Sequence, residues 1–392
     1  MKVPFYGHVR QYNNIKAEID ANIKKVIESG EYVHGPMNKQ FEQEFAAFSG
    51  TKYAIPCGNG TDALWLTLMA LGIGKGDEVI TNANTFFATA EAIWIAGATA
   101  VLVDCCPKTK NLCPKAVEAA VTSRTRCIMP VHLYGQCADM PAIKKIADKY
   151  KLWVIEDNAQ AIDAAGDTFK IGELSDAVAT SFIIQKNLGC FGDGGAIVTN
   201  NEQINKVTRL LRAHGSPARN VHSFGFNSRL DDIQAGILSA KLKVIHELNN
   251  QRIKWAARYT AGLQGAKSFD LPYATPGYRH VWHLYVIETK RPQDRDAMLK
   301  FLNDNGVDAK THYSIAIHKQ AGYPWGKDAR VVGSVANAEA NAACCISLPM
   351  FPELTEAEID YTIGIVKKWE AAHPEACMEG PGAARSGKCC KD

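Results

Sequence analysis

The sequence lacks the segments that would carry a chain into or across a membrane. Residues 1–6 have no apolar core of the kind found in a secretion signal. The longest apolar stretch, residues 88–103, is interrupted by Glu91, Gly97 and Thr99, which argues against a membrane-spanning helix. These absences predict a cytoplasmic protein that has no membrane partner.

The chain also has little excess of either charge and no cysteine spacing typical of a metal site. The chain has 44 Lys and Arg against 41 Asp and Glu, a net charge of +3, and no dense basic run, so no nucleic-acid partner is expected. Its 12 cysteines include adjacent pairs such as Cys105-Cys106 and Cys344-Cys345 but no repeated CxxC spacing. We therefore expect free thiols in a reducing compartment, and no metal cofactor.

What the sequence has is a regular alternation of apolar and amphipathic segments. Apolar runs predict strands at residues 53–56, 78–81, 100–104, 127–132, 153–157 and 196–200. Helical runs lie between them at residues 63–71, 89–96, 115–120 and 140–150. This pattern predicts an α/β fold with a largely parallel sheet, whose ligands bind at the carboxyl ends of the strands.

After residue 200 the pattern changes to longer helices. Helices are predicted at residues 202–213, 231–263, 294–303 and 355–369, with a strand at residues 283–289. We expect residues 1–250 to form a large domain with an N-terminal arm and residues 251–372 a small C-terminal α/β domain. Residues 373–392 are rich in Gly, Ala, Ser and Lys, and are expected to be a disordered tail.

A lysine and an aspartate carry the main chemical signal. Asp157 ends an apolar run, and Lys186 follows 29 residues later (186 − 157) in a loop rich in small residues. Pyridoxal phosphate (PLP) enzymes need this pair, because the lysine amine forms a Schiff base with the cofactor and the acid keeps its pyridine nitrogen protonated. Taken alone, Lys186 could be a solvated lysine, and Asp157 could cap a helix.

A turn and several polar or aromatic side chains could complete such a site. Residues 58–63 read Gly-Asn-Gly-Thr-Asp-Ala and enter a helix, where backbone N–H groups and the Thr61 hydroxyl suit a phosphate. Ser181 could donate to the same phosphate, and Gln160 could reach the same ligand or be solvated. Phe86 could stack on a flat cofactor, although a core position is slightly favoured by the sequence alone.

Taken together, these motifs resemble the DegT-type nucleotide-sugar aminotransferase family. The resemblance extends in order from about Val3 to Trp369, and several ordered motifs are more specific than any one. The motifs that carry it begin at Gly58, Val131, Glu156, Lys186, Gly192, Asn227, Thr311 and Ser347.

The resemblance implies a fold-type I PLP-dependent transferase, with a mixed, mostly parallel seven-stranded sheet, working as a homodimer with shared active sites. It makes Lys186 and Asp157 the catalytic residues. It implies cofactor binding by Gly60, Thr61, Phe86, Asp157, Gln160, Ser181, Lys186 and, from the partner subunit, Asn227. It implies that Tyr6, Arg229, His312, Tyr313 and His318 line the substrate pocket.

The reaction implied is transamination of a keto-sugar nucleotide, with L-glutamate as donor and ping-pong kinetics through pyridoxamine phosphate. The motifs at Lys186 and Gly192 are more similar to those of 3-aminotransferases, so a 3-keto hexose on dTDP or UDP is expected. The alternatives are a 4-keto sugar, a PLP-dependent sugar dehydratase, which has His in place of the lysine, and a non-catalytic regulator of the same fold.

Three segments depart from the pattern of the family. Residues 182–185 read Phe-Ile-Ile-Gln, Asn158 stands where a small residue is usual, and residues 316–320 read Ala-Ile-His-Lys-Gln. We expect the first two to lie beside the cofactor and the third beside the sugar. They bear on substrate identity more than on PLP binding.

Overall fold

A computed structural model describes residues 1–218, 220–323 and 328–377. The strands of this described part are β1 (Tyr53–Cys57), β2 (Glu78–Asn82), β3 (Thr99–Val103), β4 (Thr125–Met129), β5 (Trp153–Asp157), β6 (Ala177–Ser181), β7 (Gly195–Thr199), β8 (Phe269–Asp270), β9 (Tyr285–Thr289), β10 (Ala329–Val331) and β11 (Cys345–Leu348). Its α-helices are α1 (His8–Ser29), α2 (Pro36–Ser49), α3 (Gly60–Ala70), α4 (Ala88–Ile95), α5 (Pro114–Ala120), α6 (Met140–Tyr150), α7 (Glu202–Leu211), α8 (Asp232–Leu242), α9 (Ile245–Leu263), α10 (Asp294–Asp304), α11 (Ala336–Cys344) and α12 (Glu356–Ala372).

Eight strands form one sheet in the order β1-β7-β6-β5-β4-β2-β3-β10. All neighbours from β6 to β10 are parallel, whereas β7 is antiparallel to both β1 and β6. The predicted α/β fold with a mixed, mostly parallel sheet is confirmed. The sheet has one strand more than the seven expected, because β10 pairs with β3 from the C-terminal part of the chain.

Alternating side chains bury both faces of this sheet. Val178 and Val198 point to a core that contains Phe41 of α2 and Leu238 of α8. Their neighbours point to the opposite core, which contains Ala179, Ile197 and Leu66. A sheet covered on both faces explains why its strands appear in the sequence as continuous apolar runs.

The predicted long helix over residues 231–263 is wrong. The chain forms α8 and α9 instead, separated by Val244, whose backbone angles (φ −113°, ψ 3°) are not helical. Helices α1 and α2 were not predicted from the sequence. Both end at glycines with positive φ, Gly30 and Gly50, a common way for a helix to stop.

A second, antiparallel sheet has the order β11-β9-β8 and packs against α9 and α12, with Tyr259, Tyr285 and Trp369 fully buried. The division of the chain near residue 250 stays a prediction, since α9 spans that position. Within the expected tail, Pro374–Cys377 forms a 3₁₀ turn, and residues 378–392 lie outside the described residues.

The expectation of free thiols needs one correction. Cys106 and Cys113 are disulfide-bonded. Backbone hydrogen bonds from Cys106 N to Asn111 O (2.8 Å) and from Cys113 N to Asp104 O (3.3 Å) hold the two short segments side by side. The other cysteines of the described part form no disulfide: Cys57, Cys105, Cys127, Cys137, Cys190, Cys344, Cys345 and Cys377.

Two searches of the described residues were negative. None of the helices there combines the length and apolarity that crossing a membrane would require. In the same residues, no group of three or more His, Cys, Asp or Glu side chains could hold a metal ion.

Candidate active site

The candidate residues meet where parallel strands of the large sheet end. Strands β5 and β6 pair with Asp157 opposite Ala179, so Asp157 and Ser181 lie at neighbouring carboxyl ends. A cavity of about 620 Å³ opens at this edge. The predicted residues that line it are Tyr6, Gly60, Thr61, Phe86, Asp157, Gln160, Ser181, Lys186, His312 and Tyr313.

Lys186 lies in a loop that folds back on the end of β6. Its amide donates to the Ile183 carbonyl (2.8 Å), and Cys190 N donates to the Phe182 carbonyl (2.8 Å). Burial lowers the pKa of the Lys186 ammonium to about 8, and the nearby Asp157 carboxylate opposes that shift. A lowered pKa gives a larger fraction of free amine near neutral pH, which a nucleophilic lysine requires.

Asp157 is buried and held in a fixed orientation. The Thr89 hydroxyl donates to its Oδ2 (2.9 Å), and Ala159 N donates to its Oδ1 (3.1 Å). Burial raises the pKa of this carboxyl, and the two hydrogen bonds act in the opposite direction. The alternative of a helix cap is wrong, because no helix begins between Asp157 and strand β6.

The predicted phosphate turn lies against Ser181. Gly60 is the first residue of α3, and Asn59 caps that helix by accepting from Asp62 N (2.8 Å). A Cβ at Gly60 would lie 2.5 Å from the Cβ of Ser181, so only glycine lets the helix start come this close to β6. Free N–H groups and two hydroxyls, those of Thr61 and Ser181, therefore surround one position at the positive end of a helix.

An aromatic side chain and an amide also line the cavity. Phe86 is 53% exposed and its ring centroid lies 5.5 Å from that of Tyr313, so the expected core position is wrong. Gln160 accepts from Tyr134 N (2.7 Å) and donates to the Tyr313 hydroxyl (2.9 Å). The exposed face of the Phe86 ring, beside the hydrogen-bonded amide of Gln160, suits a flat ligand that binds between Phe86 and Asp157.

His312 and Tyr6 enter the cavity from the C-terminal part of the chain and the N-terminal arm. His312 Nδ1 is hydrogen-bonded to Ser347 Oγ (2.8 Å). Burial, helped by the charges of Lys186 and Lys310, lowers the pKa of His312 to about 4, so the ring is neutral. Tyr6 stacks on His8, with ring centroids 5.0 Å apart.

Comparison with known families gives a match that covers most of the chain. Residues 13–367 match the DegT/DnrJ/EryC1/StrS aminotransferase family. The chain belongs to this family. It is a PLP-dependent aminotransferase, and the resemblance inferred from its motifs is confirmed.

Three similar proteins are curated under different names. A "pleiotropic regulatory protein" of Geobacillus stearothermophilus is 44% identical over 93% of this chain and 97% of its own length. A dTDP-3-amino-3,4,6-trideoxy-alpha-D-glucose transaminase of Streptomyces venezuelae is 41% identical, over 94% of this chain and 96% of its own length. A UDP-2-acetamido-2-deoxy-3-oxo-D-glucuronate aminotransferase of Pseudomonas aeruginosa is 42% identical, with coverages of 91% and 97%.

Solved structures agree with this assignment. DesV of S. venezuelae has a TM-score of 0.90 at 41% identity, covering 94% of this chain and 98% of its own. NtdA of Bacillus subtilis with bound cofactor PMP has a TM-score of 0.86 at 34% identity, covering 94% of this chain and 85% of its own.

The cavity of this family member fits the cofactor. Lys186 Nζ makes no hydrogen bond or ion pair with any described residue, although its side chain is largely enclosed. Asp157 could hold the pyridine nitrogen and Phe86 the ring face. The turn at Gly60 leaves a gap beside Ser181 that a Cβ would fill, as a phosphate site requires.

Three of the predicted site residues do not line the cavity of their own chain, and one of them, Asn227, was expected in the cavity of the partner subunit. Asn227 is exposed and its backbone bridges to Ala213. Arg229 lies outside the cavity walls, and His318 Nε2 bonds to Glu339 (2.9 Å). The role of Asn227 in the cavity of a partner subunit stays a prediction.

The residues that depart from the family pattern do not all lie at the cavity. Ile183 and Gln185 line the cavity, as expected for residues 182–185. Asn158 does not, because successive side chains at the end of β5 point to opposite sides, and its Oδ1 is buried without a hydrogen-bond partner in the described part of the chain. The expectation that Asn158 lies beside the cofactor is therefore wrong.

Thr89 and His283 are among the polar residues of the cavity that the sequence reasoning missed. Thr89, on α4, fixes Asp157, and His283, just before β9, faces the cavity that contains Lys186. A lone histidine at the start of a predicted apolar strand was the available signal for His283. Nothing local marks Thr89, because its partner lies 68 residues away.

Proposed function

We propose that this enzyme transfers an amino group from L-glutamate to C-3 of a keto-hexose carried on dTDP or UDP. The observation that carries this proposal is the enclosed, unpaired Lys186 amine in one cavity with Asp157. The position of amination is supported by the names of two relatives about 40% identical, from S. venezuelae and P. aeruginosa, which both specify C-3 on different nucleotides.

When bound, PLP withdraws electrons from the α-carbon of an amino donor and makes its proton acidic. Lys186 Nζ would take this proton from the α-carbon and pass it to the C4′ carbon of the cofactor, and its pKa near 8 keeps the two protonation states close in energy. Because one amine serves both the donor and the acceptor half-reaction, ping-pong kinetics are expected.

Asp157 must stay ionised to hold a protonated pyridine nitrogen. Burial works against the charged form, but the Thr89 hydroxyl and Ala159 N both donate to the carboxylate. The positive ring would add a further stabilising charge. These two hydrogen bonds therefore help Asp157 to stay ionised in a buried position, where a carboxylate without donors would be protonated more readily.

We propose that the enzyme works as a homodimer in the cytoplasm. Phe224 and Val221 are 74% and 52% exposed on the loop that leads to Asn227, which supports a covering subunit there. The cysteines that form no disulfide support a reducing compartment, whereas the disulfide between Cys106 and Cys113 opposes it.

The product of the acceptor half-reaction tests the position of amination. The PLP-loaded enzyme is first converted to its pyridoxamine form with L-glutamate and then offered matched 3-keto and 4-keto sugar nucleotides. We expect only the 3-keto sugar to restore the PLP spectrum, with an amino group at C-3 by NMR. Turnover of the 4-keto sugar alone would make the enzyme a 4-aminotransferase.

A regulatory role is the second candidate, because one relative carries a regulatory name. A non-catalytic protein would bind the cofactor but leave its spectrum unchanged with glutamate. A PLP-dependent dehydratase is disfavoured by Lys186 itself, since members of that branch have histidine at this position. Formation of a dehydrated sugar without amine transfer would favour the dehydratase.

A further inference from the structure

His283 is a cavity residue to which neither the motifs nor the comparisons give a role. It lies just before β9, is only 7% exposed, and shares the cavity with Lys186. Its Nδ1 is hydrogen-bonded to Asn187 Oδ1 (3.0 Å). No described residue is hydrogen-bonded to its Nε2.

The orientation of Asn187 decides which nitrogen of His283 carries the proton. The Asn187 amide nitrogen lies 3.1 Å from the Val281 carbonyl oxygen, which can only accept. The amide NH₂ must therefore be on that side, and Oδ1 must face His283. Because Oδ1 is an acceptor, His283 Nδ1 carries the hydrogen, and Nε2 presents a lone pair.

The same reasoning extends one residue further from the cavity. Asn249 donates to the Ile162 carbonyl (3.1 Å) and to Asp163 Oδ2 (3.2 Å), so its Oδ1 accepts from Asn187 (2.7 Å). Donation therefore runs in one direction, from His283 through Asn187 and Asn249 to the Asp163 carboxylate. A chain that ends on a negative charge makes the free lone pair at Nε2 a better acceptor.

Burial, helped by the positive charges around the ring, keeps His283 neutral. His283 faces Lys186, Arg252 and His312, and burial with these groups holds its pKa well below the usual value. Lys186 in turn faces Asp157. A neutral His283 with a fixed acceptor nitrogen can receive a hydrogen bond from an ammonium group without repelling it.

We propose that His283 is a positioning residue for Lys186, whose Nζ donates a hydrogen bond to His283 Nε2 whenever the amine is released in the catalytic cycle. The bond would hold the Lys186 amine at the cavity wall. The other hydrogen or lone-pair positions of its nitrogen would then be directed at the α-carbon of the substrate. This inference rests on the proposed aminotransferase function.

Two substitutions test the contributions of the two imidazole nitrogens of His283 separately. His283→Asn keeps a donor for Asn187 near the place of Nδ1 but has nothing at Nε2, whereas His283→Gln can place an acceptor oxygen near Nε2. We expect His283→Asn to slow the glutamate half-reaction by about 10²-fold at saturating glutamate, with little change in the half-saturating concentration. We expect His283→Gln to recover most of the rate.

A second readout needs no turnover. In cofactor-free protein, acylation of Lys186 is followed against pH by peptide mass spectrometry. Because a bond accepted from the ammonium favours the charged form, His283→Asn should lower the pH midpoint and His283→Gln should restore it. His280→Asn is the matched control: His280 is equally buried and neutral but lines a different cavity, so the rate and midpoint should stay at the wild-type values.

The outcomes are distinguishable. If the wild-type enzyme does not react with glutamate, the proposed function fails, and the acylation midpoints still test the contact between His283 and Lys186. If the wild type reacts and His283→Asn matches it in rate and midpoint, the inference is overturned. Equal slowing in the Asn, Gln and His280 variants would also overturn it, since that result would reflect general damage to the fold.

Discussion

Two largely enclosed lysines among the described residues have a lowered pKa, and they differ in what their amines contact. Burial brings the pKa of both Lys186 and Lys241 to about 8. Lys241 Nζ donates to the Gly189 carbonyl (2.6 Å), so its amine supports the loop that carries Lys186. Lys186 Nζ has no such acceptor among the described residues. At the scale of single residues, we therefore expect the unpaired amine of Lys186 to be the reactive one.

The unpaired charge should cost stability when no cofactor is bound. The folded pKa of Lys186 is below its unfolded value, so the penalty is present below pH 8 and fades as pH rises toward the unfolded value of 10.5. We expect Lys186→Met to raise the free energy of unfolding of the cofactor-free protein at pH 7. The upper bound is about 3 kcal/mol, reduced by water in the open cavity.

Urea unfolding at pH 7 and at pH 9.5 measures this effect. The stability gain of Lys186→Met should be smaller at the higher pH. A gain that is equal at both values would mean that lost charge is not its cause, and a loss of stability at pH 7 would contradict the pKa shift itself.

At the scale of elements, the site depends on how closely helix α3 approaches strand β6. Gly60 opens the helix, and a Cβ there would lie 2.5 Å from Ser181 Cβ and 3.0 Å from its Cα. Neither atom is the flexible end of a side chain. The helix start would have to move away from β6, and the cradle of N–H groups and hydroxyls would widen with it.

We therefore expect Gly60→Ala to weaken both the fold and phosphate binding. The overpacking should lower the free energy of unfolding by about 1–3 kcal/mol. The dissociation constant for PLP, measured by fluorescence quenching, should rise. Wild-type affinity in Gly60→Ala would argue against a phosphate site at this helix start.

Gly364→Ala is the matched control. Gly364 is exposed within α12, and a Cβ there would have no atom within 4 Å. Alanine is the better helix former, so the variant should gain about 0.5–1 kcal/mol. Its affinity for PLP should stay at the wild-type value.

Some helices and strands could be predicted from the sequence and others could not. The strands and helices between residues 53 and 157 were predicted because apolar periodicity is local. Strand β10 was not, because three residues become a strand only by pairing with β3 more than 200 residues away. In the site, Lys186, Asp157 and Gly60 are marked by their local motifs. The exposure of Phe86 and the outward direction of Asn158 depend on packing between distant segments.

At the scale of the whole molecule, the cavity of one chain lacks one of the residues predicted to bind the cofactor, Asn227. Asn227 is exposed and does not line this chain's own cavity, and the loop before it has an exposed Phe224. The proposed homodimer would bring Asn227 of one subunit to the cofactor phosphate of the other. Each site would then need residues from both chains.

Subunit mixing tests this arrangement. Lys186→Ala and Asn227→Ala should each be inactive or strongly impaired. Unfolded together and refolded as random dimers, they should regain about a quarter of the wild-type activity, because half of the dimers carry one intact site. Activity that stays at the level of the separate variants would contradict a shared site, provided that the mixed sample elutes as a dimer.

The most direct test of the central claim is to find which amine holds the cofactor. The PLP-loaded enzyme is reduced with borohydride, digested, and mapped by mass spectrometry. We predict that the pyridoxyl group is attached to Lys186 and that Lys241, of equal pKa, is unmodified. A reduced enzyme that carries no pyridoxyl group, or carries it on Lys241, would contradict the account.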